Sequence, residues 1–168
     1  GAEPEERTVV AATKSGAWSS PGTVAAARLL VGGVFIVAGI GKLLEPAGAF
    51  AQILGAYRLV PAEAVPLIAT WLPWGELVLG VYLIVGFETR WAGAAAAVCF
   101  AVFSAAIATN LILGAPLEDC GCFGTLLKRE GATVTLVGDL ILGGVSLWLV
   151  LHPVSRTSLD GWLEARGW

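Results

Sequence analysis

The chain is short of charge, histidine, cysteine and methionine, and each shortage excludes something. Asp, Glu, Lys and Arg make up 14% of the 168 residues, against roughly a quarter in a soluble domain. With 57% hydrophobic residues and a mean hydropathy of +0.80, that deficit argues for an integral membrane protein rather than a soluble globule. The net charge of −3 gives nucleic acid no electrostatic foothold, so no nucleic-acid partner is expected. A single histidine, His152, leaves no histidine-based metal site, and no metal is predicted. Three cysteines, Cys99, Cys120 and Cys122, are too few for a disulfide scaffold. No methionine occurs, position 1 included, as expected of a chain whose amino terminus has been processed or trimmed.

What the chain does have is four apolar runs. Residues 1–22 are polar and read as a flexible tail. Val24 to Leu44 is apolar apart from Arg28 and Lys42. About 20 residues rising 1.5 Å each cover the ~30 Å hydrocarbon core. In residues 45–63, Phe50, Ile53, Leu54 and Tyr57 recur at helical spacing, which predicts an amphipathic surface helix ended by Pro61. A second span runs from Ala64 to Phe87, with Pro73 expected to kink it. Glu88-Thr89-Arg90 reads as a tight turn. The Ala-rich third span runs from Trp91 to about Leu113, and its small residues permit close helix approach. The fourth runs from Ala132 to Leu151, where His152-Pro153 stops it. Residues 153–168 read as an interfacial tail anchored by Trp162 and Trp168. The expected fold is all-α: a four-helix transmembrane bundle with an amphipathic segment between spans 1 and 2, in a membrane domain of residues 23–152.

An even number of spans puts both termini on one side. That side and the second loop carry Arg7, Lys14, Arg90, Arg156 and Arg166; the other carries Lys42, Arg58, Lys128 and Arg129. The balance favours cytoplasmic termini, and Trp18, Trp91, Trp148 and Trp162 gather toward the same face. The segment Gly114–Gly131, with Asp119-Cys120-Gly121-Cys122-Phe123-Gly124 in it, is then extracytoplasmic, where disulfides persist.

Two thiols one residue apart in a polar loop are candidate redox groups. A Cys-x-Cys disulfide closes a small ring and exchanges readily. Lys128, Arg129 and the start of the fourth helix favour the thiolate, and Asp119 opposes it. The competing reading is a structural turn with reduced thiols, or a bridge to a partner. Cys99, inside the third span, reads as a small buried hydrophobe.

Ionisable groups inside spans are the second constellation, because they are costly in a bilayer and are usually paired or functional. Counted at 1.5 Å per residue, Arg28 lies about 7 Å and Glu76 about 12–16 Å from the terminal face. Lys42 and Asp139 lie toward the opposite face. Two ion pairs are expected, Arg28–Glu76 and Lys42–Asp139. They set helix register in one reading; in the other, Glu76 serves a proton or a quinone head group.

These residues also carry a resemblance. Arg28-Leu29-Leu30, Phe35 through Lys42 with Pro46, Tyr57-Arg58-Leu59-Val60-Pro61, Leu72-Pro73-Trp74-Gly75-Glu76-Leu77 with Gly80, and Cys120-Gly121-Cys122-Phe123-Gly124 resemble the MauE/DoxX-like membrane family over about residues 23–152. The resemblance implies a four-helix membrane protein. Its MauE branch, named for methylamine utilisation, is linked to disulfide formation in a periplasmic dehydrogenase. Relatives look like thiol-redox partners of thioredoxin-like proteins. The implied function is thiol–disulfide exchange through Cys120 and Cys122 with an extracytoplasmic thioredoxin-like or substrate protein. A quinone is the cofactor to consider, by fold-level analogy with the vitamin K epoxide reductase family, whose second cysteine pair this chain lacks. The rival reading is a non-catalytic subunit or assembly factor of a larger membrane complex.

Overall fold

The computed structural model describes residues 20–46, 48–56, 60–114 and 131–152. Tyr57, residues 1–19 of the amino-terminal tail, the carboxy-terminal tail and the Cys120–Cys122 segment of the sequence reading lie outside the described residues, while Pro21 and Gly22, expected in the tail, begin the first helix. The described residues form five helices: α1 (Pro21–Leu44), α2 (Ala49–Ala56), α3 (Val65–Val85), α4 (Thr89–Ile112) and α5 (Ala132–Leu151). All but α2 are long and apolar enough to cross a membrane. Helices suit that setting because every mid-helix N–H and C=O is satisfied within the helix itself.

The helix ends follow local chemistry. Ser20 caps α1 by accepting from the Thr23 amide at 3.3 Å, with Pro21 at the first turn. Glu45 and Pro46 then leave α1 in extended backbone. In α2, Phe50 and Leu54 are buried and Ile53 half-buried, so the amphipathic segment is present as an eight-residue helix. Pro73 lies inside α3, which is α-helical from end to end. Gly86 ends α3 in the left-handed region at φ 74°. The Gly86 and Phe87 amides both bond the Tyr82 carbonyl, at 2.8 and 3.0 Å. The chain re-enters helix at Thr89, so the turn is Gly86–Glu88 rather than the expected Glu88–Arg90. A glycine able to adopt positive φ decides that position.

Each span buries one stripe and turns the rest outward. In α4 the buried residues are Thr89, Ala92, Gly93, Ala96, Phe100, Ser104, Ile107 and Asn110, three or four apart throughout. Large apolar side chains such as Leu29, Val78, Val102, Leu140 and Ile141 are exposed, as befits a surface solvated by lipid.

The closest packing is between α1 and α3 and between α4 and α5. Both pairs are antiparallel. Gly32 faces Gly80 and Ile84, and Gly39 faces Pro73 and Leu77. In the second pair, Gly93 faces Ser146 and Leu149, and Gly143 faces Phe100. The carboxyl ends of α1 and α4 and the amino ends of α3 and α5 therefore share one face. It is termed the loop face, because residues 115–130 connect α4 to α5 there. The opposite end is the terminal face.

The α1–α3 crossing depends on two glycines that meet backbone to backbone. A Cβ on Gly32 would lie 2.8 Å from the Gly80 carbonyl oxygen, and one on Gly80 would lie 2.8 Å from that of Gly32. Backbone cannot yield as a side chain can. Gly32→Ala should therefore destabilise the bundle by about 1–3 kcal/mol through overpacking. Gly33→Ala, where nothing lies within 4 Å, should be neutral or gain up to ~1 kcal/mol in helix propensity. Equilibrium unfolding in mixed micelles compares the two, and equal destabilisation would contradict the close crossing.

Candidate functional site: the intramembrane charge centre

Lys42 lies on the inward stripe of α1, in its last turn. Its Nζ donates to both carboxylate oxygens of Glu76 on α3, each at 2.8 Å, and both side chains are almost fully buried. The ammonium also lies 5.5 Å from the Phe50 ring centroid on α2 and 5.8 Å from that of Phe103 on α4. Asp139 on α5 lies within the field of Lys42, and Cys99 on α4 within the fields of both Glu76 and Lys42. One cation thus touches or faces all four other described helices. In a medium of low dielectric such a pair is held strongly, and removal of either member strands the other.

The observed pairing differs from the expected one. Glu76 takes Lys42, not Arg28, and the close carboxylate partner of Lys42 is Glu76, with Asp139 sharing its field. The α1–α3 register explains the first correction. Arg28 meets the last turn of α3, where its Nε donates to the Leu83 carbonyl at 3.1 Å and Nη2 reaches the Ile84 carbonyl at 3.4 Å. Glu76 lies two turns earlier, roughly 10 Å away along the axis. A guanidinium at a helix carboxyl end finds orphaned carbonyls close by and favours that end of the helix dipole. The guanidinium also packs over Gly86, where a Cβ would come 2.5 Å from Cζ. The second correction has a simpler cause. A lysine stem leans toward the amino end of its own helix, which carries the Lys42 ammonium back to the level of Glu76.

Cys99 is a half-buried free thiol. It packs against the apolar core, which agrees with a small hydrophobe, but it also lines a cavity of about 840 Å³ between α3 and α4. Trp71, Trp74, Tyr82 and Trp91 form its walls, and Glu76 also borders it. The walls run from Trp71, in the loop-face half of α3, to Trp91 at the terminal end of α4. Sequence reasoning missed this cavity. The Trp71, Trp74 and Trp91 positions were visible, but the looser α3–α4 packing that opens a space beside them was not.

Two mutational cycles test the assignment. Lys42→Met should cost about 3–5 kcal/mol by stranding a buried carboxylate. Lys42→Met with Glu76→Leu should be much milder than the sum of the two single changes. Arg28→Ala and Glu76→Leu, by contrast, should add to within about 0.5 kcal/mol, as separate sites do. Strong coupling between Arg28 and Glu76 in unfolding measurements would restore the expected pairing.

Comparison with known proteins places this architecture. Residues 20–152 match the family described as methylamine utilisation protein MauE. The methylamine utilization protein MauE of Methylophilus methylotrophus is 35% identical over 143 residues, covering 83% of this chain and 74% of that protein. Its namesake from Paracoccus denitrificans is 31% identical over 122 residues, covering 73% of this chain and 65% of the relative, just under two thirds of its length. The namesake from Paracoccus versutus is 30% identical over 132 residues, 78% of this chain and 70% of that protein. No solved structure matches the chain. With four candidate spans around a buried Lys42–Glu76 pair, and a family match running from the first span to the end of the last, the chain belongs to the MauE family of multi-pass membrane proteins.

Proposed function

We propose that this chain serves methylamine utilisation, as its relatives are named for, as a membrane thiol–disulfide exchange protein. The observation that carries the reading is the sequence Cys120-Gly121-Cys122 in the connection from α4 to α5. Because α4 and α5 pack antiparallel, that connection begins and ends at one face of the bundle. The proposed chemistry is exchange between two protein dithiols. A thiolate of an extracytoplasmic thioredoxin-like or substrate protein attacks one sulfur of the Cys120–Cys122 bond, and that bond breaks as a mixed disulfide forms. The second partner thiolate displaces the loop sulfur. Two electrons pass to the loop cysteines, which take up two protons as thiols, and the partner leaves as a disulfide; the reverse sequence reduces the partner.

The rival reading, a non-catalytic subunit or assembly factor, draws on a different feature. Trp71, Trp74 and Trp91 are more than half exposed along the α3–α4 cavity, a surface suited to contact with further subunits. In that case the loop thiols are bystanders.

Two measurements separate these readings. Cys120→Ser or Cys122→Ser should abolish exchange with the partner and accumulate a mixed disulfide, since the resolving thiol is gone. Cys99→Ala should leave exchange intact. Loop thiols that stay equally labelled across a range of redox buffers would remove the exchange reading in favour of the subunit reading. For orientation, with Cys99, Cys120 and Cys122 replaced so that each variant carries a single cysteine, Leu126→Cys should react with an impermeant maleimide in whole cells and Ser15→Cys should be protected. The opposite pattern would place the termini outside.

A further inference from the structure

The interior of the bundle is divided along its length. Toward the terminal face the core is largely apolar, built from Val24, Val31, Phe35, Leu83, Ala92 and Leu149; of the buried polar residues there, Arg28 donates to the Leu83 carbonyl and Ser146 to the Leu142 carbonyl, and Thr89 is buried at the start of α4. Toward the loop face polar residues are buried among Phe50, Leu54 and Ile107. There the buried residues include Lys42, Glu45, Glu76, Ser104, Asn110, Thr135 and Asp139. Several of their atoms have no hydrogen-bond partner: both carboxylate oxygens of Glu45, Oγ of Ser104, both amide atoms of Asn110, and Oδ2 of Asp139. All four residues are at least nine-tenths buried. Glu45 directly follows α1, Ser104 and Asn110 lie on α4, and Asp139 lies on α5. The contact of Gly143 with Phe100 sets a register that brings Ser104 level with Asp139, one turn further toward the loop face. Ser104, Ile107 and Asn110 continue along the same stripe of α4.

More than nine in ten buried polar atoms in folded proteins are paired, with protein or with ordered water. Lipid offers no hydrogen bond to the rest, so a group left unsatisfied there is costly. The unpaired atoms define what completes them. Carboxylate and amide oxygens predominate, so the ligand must donate. The Asn110 amide nitrogen and the Ser104 hydroxyl also need an acceptor. The ligand must be small enough to fit between packed helices. Water meets all three demands.

We propose that the loop-face half of the bundle is a hydrated chamber. A chain of ordered waters, held by Glu45, Asn110, Ser104 and Asp139, runs from the loop face to the Lys42–Glu76 pair, and the terminal-face half stays dry. Such a chain gives protons and water a path to the buried charge centre from the loop side only. The inference stands on the core residues alone, whether or not the loop thiols exchange.

Radiolytic hydroxyl-radical footprinting of the unaltered protein in native membranes tests it, because radicals formed from bound water mark the side chains beside that water. Ile107 and Leu83 are both almost wholly buried. Ile107 should be oxidised several-fold faster than Leu83. Equal rates would overturn the proposal. An independent arm uses Ser104→Cys and Ala96→Cys, each with the native cysteines replaced by Cys99→Ala, Cys120→Ser and Cys122→Ser. A small water-soluble thiosulfonate should modify Ser104→Cys roughly tenfold faster than Ala96→Cys, since only the wet site supports a reactive thiolate. Equal and negligible reaction at both positions would also overturn it. Should the variants fail to fold, the footprint of the unaltered chain decides alone.

Discussion

The constraint on which the rest of the structure depends is a buried ammonium–carboxylate pair enclosed by the helices of the bundle. Lys42 and Glu76 sit 2.8 Å apart with both side chains almost wholly enclosed. Neither partner can leave without stranding the other, so α1 and α3 are held to one register. That register brings Gly32 against Gly80 and Gly39 against Pro73, and it delivers Arg28 to the end of α3. The phenyl rings of Phe50 and Phe103 lie near the same ammonium, so α2 and α4 are referred to the same point. A buried pair of this kind adds little to stability compared with a well-packed apolar substitute. Its contribution is to exclude other registers.

Arg28 does related work at the other end. It satisfies carbonyls that α3 leaves open when Gly86 turns the chain. Between the two cations lies the apolar core where Phe35 and Phe100 meet at 5.0 Å. The two ends of the bundle thus solve the problem of buried charge differently. Near the terminal face, the cation is used on helix carbonyls. Near the loop face, charge is gathered around Lys42 and accompanied by unpaired polar atoms. The aromatic cavity between α3 and α4 extends from Trp71 to Trp91 and has Glu76 on its border.

Much of the fold was legible in the chain before any tertiary structure. Four apolar runs of membrane-spanning length determined four helices with boundaries close to those observed, because lipid leaves helices as the simplest way to satisfy the backbone. The short helix between the first two spans followed from Phe50, Ile53 and Leu54 at helical spacing. Buried Arg28, Lys42, Glu76 and Asp139 were recognisable as special because charge in an apolar run demands an explanation. The motifs around Tyr57-Arg58-Leu59-Val60-Pro61, Pro73-Trp74-Gly75-Glu76 and Cys120-Gly121-Cys122 carried the family.

Partner choice among those charges was decided only in three dimensions. Depth along a helix places a residue to within a turn or so, and a long side chain reaches across that uncertainty. Arg28 and Glu76 were near enough in depth to pair, yet the carbonyls of Leu83 and Ile84 were nearer still. Lys42 leaned back to Glu76 while Asp139 remained in its field. Likewise, Gly86 rather than the polar residues after it set the second turn, and the α3–α4 cavity arose from loose packing that no local pattern encodes. Local periodicity and composition by themselves determined which segments are helical and which faces are apolar. Register, and with it which buried charges meet, was decided by the tertiary structure, because it depends on contacts between residues far apart in the chain.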